Sequence, residues 1–187
     1  ATNGKLYCWG SNTYSQIGDG TTNAAPKPVA VDVAQNYSHI SMGVNHACGV
    51  TSSGVLKCWG RNLNGQLGDG STTTRSTPTV VDSGIFYISV SAGSNYTCGI
   101  TTSNVLKCWG LNTYGQLGNG STTQSTIPVV IDSGAMYYQV DTGPTHTCGI
   151  RVSGLLRCWG YNVRGQIGDG TITQQNSPVD VDFGTPY

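Results

Sequence analysis

His46-Ala-Cys-Gly-Val-Thr51-Ser-Ser-Gly54-Val-Leu-Lys-Cys-Trp-Gly60 decides the fold. Two short alternating runs flank Ser52-Ser53-Gly54. A three-residue hairpin loop of this kind ends on a residue at positive φ, a role for Gly or Asn. The same position elsewhere in the chain holds Gly4, Asn104 and Gly154, and only those two residue types occur. The turn sets the register. Thr51 faces Val55, Val50 faces Leu56 and Cys48 faces Cys58. Counted outward from the turn, the cysteines form a non-hydrogen-bonded pair, with Cα atoms about 4.5 Å apart. That separation lies within disulfide range. Val50, Leu56 and both sulfurs share one face.

The stretch repeats. Cys-Trp-Gly begins at Cys8, Cys58, Cys108 and Cys158, with a spacing of 50 residues each time. A period of this size marks an array or a propeller. Pro28–Val31, Pro78–Val81, Pro128–Ile131 and Pro178–Val181 read as short edge strands that start at their proline. Tyr37–Met42, Tyr87–Val90 and Tyr137–Val140 read as a further strand, closed by Gly43, Gly93 and Gly143. Four strands per 50 residues with no helix between them make one blade of a β-propeller. The chain therefore reads as a single all-β propeller segment over 1–187, about four blades. Its units run 1–47, 48–97, 98–147 and 148–187, the first and last incomplete.

Between strands runs a loop such as Trp59-Gly-Arg-Asn62-Leu-Asn-Gly-Gln66-Leu-Gly-Asp-Gly70. Its glycines allow tight turns, and Asn62 and Gln66 can hydrogen-bond the loop backbone. Trp9, Trp59, Trp109 and Trp159 supply large buried area where blades meet.

These residues resemble the regulator of chromosome condensation repeat. Gly43, His46, Cys48, Gly54, Leu56, Trp59-Gly60, Asn62 and Gly65-Gln66-Leu67-Gly68 carry the resemblance, which returns in every unit. The cysteine-paired form looks like the secreted members of that family. The resemblance implies a seven-bladed ring. The family includes an exchange factor for a small nuclear GTPase, a plant photoreceptor, domains of giant ubiquitin ligases and a secreted β-lactamase inhibitor, so it implies a binding surface rather than one reaction. No inserted wedge breaks the 50-residue spacing, no basic tail is present, and the photoreceptor's tryptophan motif is absent. An exchange-factor role is therefore the weakest expectation.

Composition narrows the function further. The nine acids are all Asp, they balance nine Lys and Arg, and charged residues make up only 10% of the chain. That balance lacks the basic footprint of a nucleic-acid binder. Apolar runs such as Ile127–Ile131 are far too short to span a bilayer. Three disulfides, Cys48–Cys58, Cys98–Cys108 and Cys148–Cys158, account for six of seven cysteines. Repeated pairing points to an oxidising compartment, hence an extracellular or cell-surface protein. Cys8 is left over. Its partner would fall three positions before Ala1, or at position 198, fifty past Cys148. Ala1 falls inside a hairpin turn, and Tyr187 matches Tyr87. The expectation is a part of a larger propeller, or a chain completed by a neighbour.

No catalytic constellation is visible. There is no Gly-x-Ser-x-Gly and no phosphate loop. His46 and His146 share one repeat position with Tyr96, and read as structural hydrogen-bond partners. Asp19, Asp69 and Asp169, with Asn119 in the third unit, read as turn residues rather than a metal site. No cofactor, metal or small-molecule substrate is expected. Asn36, Asn95 and Asn119 begin sequons that could carry glycans.

Positions that vary between units are free to specialise. Arg61, Leu63, Leu111, Tyr114, Tyr161, Val163 and Arg164 fall in the loops after Trp-Gly, one angular step per blade. Arg, Tyr and exposed aliphatics anchor protein interfaces. The expected function is a non-enzymatic, secreted interaction scaffold or inhibitor-like module using these residues. The alternative is a structural protein that assembles with copies of itself into a ring or filament.

Overall fold

The computed structural model describes residues 4–181. Fourteen strands form antiparallel sheets, and no helix occurs among the described residues. β1 (Leu6–Gly10) and β2 (Ala25–Val31) make a two-stranded half-blade. β3 (Tyr37–Met42), β4 (His46–Thr51), β5 (Leu56–Gly60) and β6 (Arg75–Val80) form the first full blade. β7 (Tyr87–Ala92), β8 (Tyr96–Thr101), β9 (Leu106–Gly110) and β10 (Ser125–Val130) form the second. β11 (Tyr137–Thr142), β12 (His146–Arg151), β13 (Leu156–Gly160) and β14 (Gln175–Asp180) form the third. The sheets are thus phased from the tyrosine strand, while the units counted in the sequence divide inside β4, β8 and β12. The expectations for Ala1 and Tyr187 lie outside the described residues.

The hairpin register is the one the turn demands. Val50 pairs with Leu56 and Cys48 with Cys58. The equivalent pairs are Cys98–Cys108 and Cys148–Cys158. All three are disulfides with Cα atoms 4.1 Å apart. Gly54 has φ +85° and Asn104 has φ +60°, the left-handed conformation the three-residue loop requires. The disulfides are compatible with an extracellular protein.

The prolines do not start the outer strands. β2, β6, β10 and β14 begin three residues earlier, at Ala25, Arg75, Ser125 and Gln175. The pairing slips between Gly60–Arg75 and Cys58–Thr79, and Pro78 sits in that irregular stretch. A residue without an N–H costs no ladder bond there, and on the free outer edge it blocks further pairing. The tyrosine strands also run on past Val90 and Val140, to Ala92 and Thr142.

β3, β7 and β11 are the innermost strands and touch across blades. Ala92 N donates to Ser41 Oγ (2.9 Å), Thr142 N donates to Ser91 Oγ (3.1 Å), and His39 Nε2 lies 2.9 Å from Val90 O. Trp59, Trp109 and Trp159 are wedged between successive sheets and wholly buried. Their Nε1 atoms donate to the carbonyls of Gln16, Gln66 and Gln116, at 3.0, 3.0 and 2.9 Å. Each indole packs on a glycine of the preceding loop. A Cβ on Gly68 would stand 2.6 Å from Trp109 Nε1 and would also be strained at φ +78°.

A second clasp repeats at the inter-blade seams. The Asp32 carboxylate accepts from Tyr37 Oη (2.7 Å) and Lys57 Nζ (2.6 Å). Asp82 does the same with Tyr87 and Lys107, both at 2.7 Å. At the third seam Asp132 meets Tyr137 (2.7 Å), Arg151 (2.5 Å) and Arg157 (3.2 Å). Burial would raise the Asp32 carboxyl, but the Lys57 and Tyr37 hydrogen bonds outweigh it and hold its pKa below the usual range.

Candidate interaction surface

The loops that follow β1, β5, β9 and β13 are rigid by construction. In the first full blade, Asn62 is fully buried. Its Oδ1 accepts from Leu67 N (2.9 Å), and its Nδ2 donates to Asp69 Oδ1, Ser71 O and Thr73 O, each at 3.1 Å. Gln66 Oε1 accepts from Asn64 N at 2.9 Å. Asp69 Oδ1 in turn accepts from Ser71 N (3.0 Å) and Ser71 Oγ (2.8 Å), so it is a turn residue. Asn119 takes the same place through Ser121 N and Ser121 Oγ. Each such bond contributes about 1 kcal/mol net, and an orphaned buried amide would cost more. The variable side chains thus stand on a common, fixed backbone.

That backbone brings some of the anticipated residues together. Arg61 lies over the Tyr14 ring, 5.0 Å from its centroid. Tyr114 and Tyr161 meet edge to face at 4.8 Å. In both pairs a loop residue of one blade reaches the residue after Trp-Gly in the next. Leu63 is 58% exposed and Val163 50% exposed. Leu111 is half-buried, and Arg164 is exposed. Tyr14 belongs to the same row of variable positions, although the anticipated contact residues do not include it. Its signal was the shared repeat position with Tyr114.

His46 is structural, and its environment has a measurable consequence. Thr97 Oγ1 donates to Gln66 O (2.8 Å), so it accepts from His46 Nε2 at 2.9 Å. Complete burial pushes the His46 pKa down to about 4. The unfolded chain therefore binds the proton more readily than the folded one. The stability is fully present above about pH 6.5 and is lost as pH falls toward 4, by about 3 kcal/mol. At the next seam Tyr96 Oη stands 3.0 Å from Thr147 Oγ1, the counterpart of Thr97, and donates to His146 O (2.6 Å), without titrating in this pH range. His46→Tyr is expected to keep the fold and to remove that loss. Urea melts at pH 7.5 and pH 4.5 check this; an unchanged pH difference would count against it.

The sequons differ in setting. Asn36 and Asn119 are exposed. Asn95 is half-buried, and Thr97 of its sequon is wholly buried and committed to Gln66 O. Among the described residues no cluster of His, Cys and Asp could hold a metal ion.

The regulator of chromosome condensation (RCC1) repeat matches this chain at residues 3–50, 53–100 and 108–150. A second model of the same repeat matches 37–66, 87–116 and 138–166. No curated protein matches the chain. Among solved structures, human WBSCR16 superposes with a TM-score of 0.85 at 23% identity, covering 96% of this chain and 49% of that one. Yeast RCC1 (Prp20), crystallised with Kap60, gives 0.81 at 18% identity, covering 96% and 45%. A separate structure of Saccharomyces cerevisiae Prp20p, described with its binding to Gsp1p and histones, gives 0.82 at 17%, covering 95% and 46%. These likenesses are of fold, and the chain spans about half the length of each. With the three cysteine-stapled blades and their common loop, the repeat matches establish that the chain belongs to the regulator of chromosome condensation (RCC1) repeat family.

Proposed function

We propose that the chain is a non-enzymatic, extracellular protein-interaction module whose contact face is the rim of loops after β1, β5, β9 and β13. One observation carries the reading. A hydrogen-bond network repeated in each blade fixes loops whose outward side chains differ; these include the pairs Tyr14 with Arg61 and Tyr114 with Tyr161, and the exposed Leu63 and Val163. Aromatic and Arg side chains on a rigid frame bind with little ordering cost. Yeast Prp20, of like fold, is crystallised bound to Kap60, which supports protein recognition as the mode. The disulfides support the extracellular setting.

The test joins Arg61→Ala, Leu63→Ala, Tyr114→Ala and Val163→Ala in one chain. A partner is first captured by the intact protein, and its Kd is then measured against both. A loss of at least about tenfold is expected, since each anchor contributes on the order of 1 kcal/mol or more. Unchanged affinity, together with loss in a Thr79→Ala control on the outer strand, would place the binding surface elsewhere.

A further inference from the structure

The lysines and arginines of the inter-blade clasps are neutralised within the chain. Lys57 pairs with Asp32, Lys107 with Asp82, and Arg151 and Arg157 with Asp132, at 2.5–3.2 Å. In the rim loops Arg75 Nε pairs with Asp69 at 2.6 Å. Arg61 departs from this pattern. Among the described residues its guanidinium has no carboxylate partner, and its Nε is shut off from solvent without any hydrogen bond. Its backbone is fixed, since Arg61 N donates to Asn45 O at 2.9 Å. Its side chain is fixed as well, lying across the Tyr14 ring. The loops on both sides, 11–24 and 61–74, are fully described, so this setting belongs to an internal seam.

The rim's own carboxylates are committed to their turns. Asp19 accepts from Thr21 N (2.9 Å) and Thr21 Oγ1 (2.8 Å), and Asp169 accepts from Thr171 N (3.0 Å) and Thr171 Oγ1 (2.8 Å). Asp69 is held by Ser71 as well as by Arg75. The variable positions after each Trp-Gly carry Arg61 and Arg164 and no acid at all. A cation that has shed water without gaining an acceptor is costly, and an arriving acceptor relieves that cost. Stacking on Tyr14 leaves the guanidinium little freedom to lose, and its planar fork matches a carboxylate through two parallel bonds. Leu63, two residues along the same loop, is exposed and apolar.

We propose that Arg61 selects the partner of the rim by receiving an Asp or Glu side chain from a protein segment, with an apolar neighbour of that acid resting on Leu63. The proposal rests on the rim reading above and adds the chemistry of what is bound. Arg164 is exposed and has no aromatic ring beneath it, so Arg61 is the better-ordered of the two unpaired cations.

A phage-displayed library of cyclic random peptides, selected on the disulfide-intact chain, supplies the probe. Peptides are kept as rim binders when Leu63→Ala, Tyr114→Ala and Val163→Ala together weaken them, a criterion that leaves Arg61 untouched. These peptides are expected to share an Asp or Glu beside an apolar residue. Changing that acid to its amide is expected to weaken binding by about tenfold or more, and so is Arg61→Gln. The two changes together are expected to weaken it no more than either alone, the mark of a direct pair. Lys27→Gln removes an exposed cation from the outer strand and is expected to leave the affinity unchanged, which separates a local pair from net charge. Rim binders that share no acid, or losses that add in the double change, overturn the proposal and leave the rim reading standing. A selection that returns no peptide sensitive to the three rim substitutions overturns both.

Discussion

Replacing Trp109 by alanine is expected to cost about 3–5 kcal/mol, the range for emptying a large aromatic site in a core. The same change at Trp9 is expected to cost almost nothing. The two residues occupy one repeat position, and only their surroundings differ. Trp109 is 0% exposed, lies against Gly68 and donates to Gln66 O, while Trp9 is 63% exposed. Loss of the Trp109 indole opens a cavity between rigid sheets, which cannot close over it. The Gln66 carbonyl keeps only its bond from Thr97 Oγ1. Urea unfolding of the two variants at low protein concentration measures the contrast. Equal losses would show that sheet-to-sheet wedging does not hold the blades together.

Reduction of the disulfides has a comparable or larger expected effect. Each bridge joins residues ten apart in sequence. Closing a loop of that size removes chain entropy worth about 2.8 kcal/mol, so three independent bridges contribute about 8 kcal/mol. Domain stabilities run about 5–15 kcal/mol in total. The reduced chain is therefore expected to lose its cooperative melt near 37 °C, followed by circular dichroism with and without a reductant. Thiol titration of the denatured chain gives the matching count: one free thiol, Cys8, before reduction and seven after. Burial, and secondarily the Asp19 charge, push the Cys8 thiol up to about 11, so it is a poor nucleophile in the folded chain. A reduced chain with an unchanged melt would contradict this ranking of the forces.

The features legible in the sequence are those set by short hairpins. The turn at Gly54 dictates which residues face each other, so the Cys48–Cys58 pair followed from counting. Asn62 and Gln66 were legible because their partners lie within the same loop. Contacts between sheets were not. Asp32 meets Lys57 across 25 residues and a seam, and no local pattern encodes that approach. Pro78 reads locally as the start of a strand, but the slip that accommodates it arises from pairing with β5. On the rim, the row of variable positions was visible, yet its pairing of Tyr14 with Arg61 depends on how far one blade is rotated from the next.

Binding of a protein at the loop rim is open to a direct test. Photo-crosslinking from single sites tests it most directly, with a photoreactive residue placed at Leu63 or Val163 on the rim and at Ser153 in the β12–β13 turn. One and the same partner protein is expected to be trapped from both rim sites and not from Ser153. Trapping from Ser153 with none from Leu63 or Val163 would contradict it.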